Sequence, residues 1–329
     1  MTMLQWPRHL ARALGHCVLY ASLPLMAAGA QAQTFPERAI TLVTPAPPGG
    51  GTDALTRALA DALAKRLPVP VVVENRPGAN ATIAAAYVSR APADGYTLLG
   101  VTSGHTINPA IFKKLSYDAV KDFAAVSRLA TAPAVLVANK DLGIGNFAQL
   151  RELARTKPQQ LTFASSETSI QLMTHEVGTY LDAPQTVVYY KGTGPSINDV
   201  LGGHVSFAVT SIASVLPFIE SGRLSAIGVT GSRRSSLLPQ VPTFQEQGVQ
   251  GMDTETWQGI VAPAGTPPET IAFLNQKINE ALADPEVQAR CKALAYEPSG
   301  ITPEEFAEFL KADVVRQAKA VAEAGIQPQ

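Results

Sequence analysis

Two short polar loops hold the residues best suited to chemistry in this 329-residue chain. The first is PPGGGTD, from Pro47 to Asp53, and its candidate contacts are Pro48, Gly49, Gly50, Gly51, Thr52 and Asp53. Glycines let backbone N–H groups approach an anion with no side chain in the way. A helix start adds unpaired donors and the positive end of a dipole. Together these make a carboxylate site that needs no charged side chain. The alternative is a tight turn that binds nothing, and glycine content alone does not choose between them. The second loop is SSETS, where Ser165, Ser166, Thr168 and Ser169 bring hydroxyls and backbone donors. Taken alone, it reads more readily as a helix cap. Ser103, His105 and Asn108 follow a strand-like run and can hydrogen-bond a ligand, although single polar residues after a strand are more often structural. Thr210 closes another strand-like run at the same kind of position.

Enzyme constellations fail on inspection. His175-Glu176 opens like a zinc-protease motif, but Thr179 stands where the second histidine is needed. Gly192-Thr193-Gly194 begins a dinucleotide loop whose third glycine is replaced by Ile197. No phosphate-binding Walker loop and no serine-nucleophile elbow is found. His105, His175 and His204 lack metal-ligand spacing, so neither a metal nor an organic cofactor is expected.

The elements that must position these loops alternate. Ile40 to Thr44 (ITLVT) is a buried-strand pattern, and the PPGGGTD loop follows it. Thr52 or Asp53 can cap a helix whose Leu55, Leu59, Leu63 and Leu67 make one apolar face, ended by Pro68. Strands at Val69–Glu74 and Tyr96–Val101 flank a helical Ala81–Arg90. Further strands are expected at 135–138, 161–164, 187–190, 207–210, 226–230 and 257–262. Helices are expected at 147–156, 170–180, 196–201, 268–282, 285–294 and 303–324. This rhythm predicts an α/β fold with a mostly parallel, helix-covered sheet. In such sheets ligands bind outside the carboxyl ends of strands. Turn signals concentrate at Ser127–Pro133 and Gln240–Glu255, the two candidate crossovers between halves.

The N-terminus has the secretory pattern: Arg8 and Arg12, an apolar stretch from Ala13 to Ala28 broken by Pro24, then Ala30-Gln31-Ala32. Residues 1–32 are read as a signal peptide and set aside, and the mature protein is expected in the periplasm. His16 before Cys17 is too large for a lipoprotein cleavage site. The remaining 297 residues suffice for two lobes. They carry 24 Lys and Arg against 27 Asp and Glu, so nucleic acid is not an expected partner. Cys291, the one cysteine left, reads as a small apolar residue on a late helix.

Long runs resemble one family. They are FPERAITLVTPAPPGGGTDALTRALA from Phe35, VVVENRPGANATIAAAYVSRAPADGYTLL from Val71, SGHTINPAIFKKLSYDAVKDFAAVS from Ser103, YYKGTGPSINDVLGGHV from Tyr189, SGRLSAIGVTGSRRSSLLPQVPTFQEQG from Ser221 and WQGIVAPAGTPPETIAFLNQKINEAL from Trp257. The chain resembles the Bug-type solute-binding proteins, the periplasmic component of tripartite tricarboxylate transporters. The resemblance implies a type II periplasmic-binding-protein fold of two α/β lobes with a ligand cleft between them. Lobe I would be 33–132 with 257–329, and lobe II 133–256. It implies a small carboxylate ligand (di-, tricarboxylate or aromatic), held by one loop per lobe: Pro48 to Asp53, and the loop after Phe163. The implied partners are the membrane components of the transporter. A membrane sensor kinase is the alternative partner, a secreted hydrolase the alternative activity, and a monomer the usual expectation for a diffusing capture protein. Two features depart from the family. Its second loop is usually glycine-rich, of the type S-x-G-x-G-S, whereas here Glu167 stands near the first glycine and the loop is about two residues short. The family's frequent Asp, suited to a ligand ammonium, is Thr210 here, which points away from amino acids.

Overall fold

The computed structural model describes residues 35–328; the signal segment expected at 1–32 lies outside them. The chain runs β1 (Ile40–Thr44), α1 (Gly51–Ala64), β2 (Val71–Asn75), α2 (Thr82–Val88), β3 (Thr97–Thr102), α3 (Gly104–Ile111) and β4 (Phe123–Asn139). It continues with α4 (Phe147–Thr156), β5 (Thr162–Ser165), α5 (Thr168–Leu181), β6 (Thr186–Tyr189), α6 (Thr193–Leu201), β7 (Phe207–Ser211), α7 (Ile212–Glu220) and β8 (Leu224–Val229). It closes with β9 (Glu255–Pro263), α8 (Pro268–Leu282), α9 (Pro285–Ala293), β10 (Glu297–Pro298) and α10 (Pro303–Glu323).

The strands follow the order β2-β1-β3-β9-β4-β7-β5-β6, with β8 and β10 also paired to β4. Two three-stranded parallel units result, β2-β1-β3 and β6-β5-β7, each reached from β4 through antiparallel partners or directly. This is the two-lobed α/β arrangement. Strand β4 belongs to both lobes: Phe123 to Pro133 pairs with β9, and Ala134 to Asn139 pairs with β7 and β8. The exchange falls at Pro133, which has no N–H to give. Beyond it the Ala134 N–H donates to Thr230 Oγ1 at 2.9 Å, and the Thr230 N–H returns to the Ala134 carbonyl at 2.9 Å.

Turn-rich Ser127–Pro133 is therefore strand, not a connecting loop. Its polar residues are satisfied by the end of the chain. Ser127 Oγ donates to the Ile301 carbonyl at 3.1 Å, and Arg128 Nε donates to Ser299 Oγ at 2.9 Å. Two register shifts, at Ala125/Ser127 and Arg128/Ala130, bend this half of the strand. Past Pro133, Ala134, Leu136 and Ala138 enter one core with Phe147, Phe163 and Phe207, while Val135 and Val137 enter another with Ile197, Val200 and Ile212. Burial on both faces explains the unbroken apolar run there.

The apolar face of α1 is buried at Leu55, Leu59, Leu63 and Leu67. Helix α10 lies against the β2-β1-β3 unit. Its Phe306 and Leu310 pack with Val43, Leu99 and Trp257, and its buried Asp313 accepts from Thr106 Oγ1 of α3 at 2.6 Å. Ile107 and Ile111 of α3 meet Leu172 of α5 and Val321 of α10, a small apolar contact joining the two lobes. Cys291 is buried, and burial pushes its thiol up to about 11. No helix among the described residues is long and apolar enough to cross a membrane.

Candidate ligand-binding site

A cavity of about 600 Å³ opens between the lobes at the carboxyl ends of β1, β3, β5 and β7. Five helices begin on it. Thr52 lies in the first turn of α1, Ser103 and Gly104 start α3, Glu167 and Thr168 start α5, Thr193 starts α6, and Ser211 precedes α7. None of these five first turns is capped by its own N-cap side chain. Of the helices that start away from the cavity, α4, α9 and α10 are capped by Asn146, Asp284 and Thr302, and α8 is not capped. The first-turn N–H groups and dipole ends around the cavity thus meet no cap from their own N-cap side chains.

The wall contains no Lys or Arg, and its one carboxylate is Glu167. Favourable potential for an anion therefore comes from backbone, not from side-chain charge. The rest of the lining is neutral: hydroxyls, the amides of Asn80, Asn108 and Gln171, apolar Ile107, Ile111 and Ile170, and the rings of Trp257 and Tyr296. Gln258 Nε2 donates to Thr52 Oγ1 at 3.3 Å. Burial raises the Tyr296 phenol above its ordinary value, with the charge of Glu167 adding and hydrogen bonds to Gln258 and Thr52 opposing.

The structure divides the residues singled out in the sequence into two sets. Thr52, Ser103, Asn108, Ser166, Thr168, Ser169 and Thr210 stand in the cavity wall. Pro48, Gly49, Gly50, Gly51, Asp53, His105 and Ser165 do not. Helix α1 starts at Gly51 with Gly50 as its N-cap, so neither Thr52 nor Asp53 caps it. Asp53 is buried and turned back on its own loop, accepting from the Gly49 N–H at 2.9 Å, Asn75 Nδ2 at 2.7 Å and Arg57 Nε at 3.0 Å. Gly49 has φ of +86°, a left-handed conformation that suits glycine. His105 is buried beside Tyr117 and Phe123, and its Nε2 is 2.8 Å from the Ala119 carbonyl. Burial lowers its pKa to about 4, so it is neutral at pH 7 and donates that proton. Ser165 is buried with its Oγ unpartnered among the described residues.

Several wall residues carried no local signal. Trp257 arrives on β9, with its N–H donating to Ser103 Oγ at 2.9 Å and its indole Nε1 to Asp313 Oδ2 at 3.2 Å. Tyr296 arrives just after α9. Asn80 and Ala81 belong to a run of three left-handed residues, Ala79, Asn80 and Ala81, at φ of 45°, 50° and 72°. The RPG at 76–78 marks a turn there but not its handedness.

Comparison with known proteins agrees with this geometry. The tripartite tricarboxylate transporter family receptor profile matches residues 55–326. Protein BugT of Bordetella pertussis is 33% identical over 321 residues, spanning 96% of this chain and 98% of that protein. The solved structure of Rpa4515 from R. palustris with adipate superposes with a TM-score of 0.73 at 32% identity, covering 90% of this chain and all of that one. MatC from Rhodopseudomonas palustris with bound malate gives 0.68 at 30% identity, covering 87% of this chain and all of that one.

Proposed function

The chain belongs to the tripartite tricarboxylate transporter receptor family, a family of solute-binding proteins, and from that premise we propose that it captures a small carboxylate in the periplasm and hands it to the membrane components of such a transporter. One observation carries the reading: five helix N-termini without side-chain caps converge on a cavity that has no basic residue. Carboxylate oxygens accept from such donors without a counter-ion. The adipate and malate held by the two relatives are of the chemistry this cavity suits. A ligand touching Thr52 and Ser103 on one side and Ser166, Thr168 and Thr210 on the other favours the closed form, which the membrane partner reads. No covalent step is assigned; the protein acts by binding.

The test is a titration of purified, ligand-stripped protein with aliphatic, hydroxylated, aromatic and amino-acid carboxylates, following Trp257 emission and melting temperature together. Saturable binding of one carboxylate class with a raised melting point supports the reading. Binding only of neutral or cationic solutes sinks it.

A further inference from the structure

Asn108 sits in the cavity wall, is 1% exposed, and has a side-chain oxygen with no hydrogen-bond partner among the described residues. The orientation of its amide is set by its neighbour. Nδ2 donates to the Asn80 carbonyl at 2.8 Å and approaches the Tyr117 hydroxyl at 3.4 Å. A backbone carbonyl only accepts, so exchanging the amide's N and O would set two acceptors against each other. Oδ1 is therefore the atom left over, and a buried acceptor left unpaired is costly.

We propose that Asn108 is a specificity-determining residue that accepts a hydrogen bond from a hydroxyl of the bound carboxylate, so that the site selects hydroxycarboxylates over their deoxy counterparts. This rests on the carboxylate-binding reading above and adds a requirement to it. A hydroxyl fits better than an ammonium. The other groups around Asn108 are neutral: Ile107 and Ile111 on its own helix, the buried Tyr117, and the Asn80 carbonyl. The wall's single carboxylate, Glu167, is carried by the opposite lobe. An ammonium at Asn108 would be desolvated with no opposite charge beside it. The same side chain also ties down Asn80 in its left-handed run.

The experiment measures dissociation constants for matched pairs that differ by one hydroxyl: malate against succinate, and 3-phenyllactate against 3-phenylpropanoate. In the wild-type protein the hydroxylated member of at least one pair should bind about 10- to 100-fold more tightly, the range of a buried acceptor gaining or lacking its donor. In Asn108→Leu that ratio should fall to about one, because the deoxy member no longer buries an unpaired oxygen. A purely structural role for Asn108 would instead weaken both members together and preserve their ratio. The wild-type ratio needs no variant, so misfolding of Asn108→Leu leaves the test intact. Carboxylate binding with equal affinity in both pairs overturns this proposal and leaves the carboxylate reading standing, as does a ratio that survives in Asn108→Leu. Failure of every carboxylate to bind overturns both.

Discussion

The Asp53 carboxylate accepts the Gly49 N–H at 2.9 Å, four residues back across the start of α1. This bond closes the glycine loop on itself and lets the helix begin with its first turn facing the cavity. The acid that looked like a ligand contact is a brace. Its other oxygen takes Asn75 from β2, so the loop is tied to the sheet as well. Replacing Asp53 with Ala should cost roughly 1–3 kcal/mol of stability and weaken the proposed carboxylate binding. Chemical denaturation with and without ligand measures both. Burial pushes the Asp53 pKa up, but hydrogen bonds from Arg57, Gly49 and Asn75 outweigh it, and the net position is below the ordinary carboxylate range. The brace therefore contributes fully above the unfolded value near 4 and is lost as pH falls through the lower folded value. Asp53→Ala should lack that acid-side dependence.

His105 gives a second pH dependence in a different window. Its folded pKa of about 4 lies below the ordinary 6.5 because burial disfavours the cation, which the hydrogen bond with Ala119 only partly offsets. Between those values the unfolded chain holds a proton that the folded chain does not, so stability falls as pH drops from about 6.5 to about 4. The loss should reach about 3 kcal/mol and then level off. His105→Gln keeps a donor for Ala119 and should flatten this window. In the wild type, the His105 imidazole resonances should not titrate above about pH 5.

Glu167 opposes any anion that enters the cavity. Glu167→Gln should raise affinity for dianions such as succinate by about 3- to 10-fold at low salt, with a smaller effect on monoanions and a fading effect as salt rises. Isothermal titration at two ionic strengths reads this. No change in either charge class would mean that the side chain turns away from the bound ligand.

Asp313 holds Thr106 and Trp257 together from the far end of the chain. Asp313→Ala strands their donors and leaves Arg316 without its carboxylate. It should cost about 3–5 kcal/mol and shift Trp257 emission, whereas Lys311→Ala, which loses only an exposed pair with Glu308, should stay within about 0.5 kcal/mol.

Local pattern carried much of the fold. The strand at Ile40–Thr44 and the helices at Phe147–Thr156 and Pro268–Leu282 have the bounds that periodicity and proline placement predict. The first half of strand β4 was illegible because Ser127 and Arg128 resemble turn residues until their partners, more than 150 residues away, are known, whereas its second half was expected at 135–138. Helix α3 was hidden by its short length and by Pro109 within it. The cavity followed the same division. Its loops after β1, β3, β5 and β7 could be found as polar stretches behind strands. Trp257 and Tyr296 could not, since nothing in their own segments says which surface they will face. Nor does residue type separate Asp53, which turns inward to brace the loop, from Thr52, which faces the cavity.

The placement of α10 against α3 also sets an order of events during synthesis. Thr106 and Asp313 are 207 residues apart, and Ile107 and Ile111 are covered partly by Val321. A ribosome delivers the first of these long before the last. Until the final helix emerges, a nascent chain carries an unfinished first lobe with apolar α3 exposed, the sort of intermediate that chaperones hold and that aggregates when they do not. Strands β5 to β8 and helices α4 to α7 are contiguous in sequence, and from the late chain their cores take Ala295.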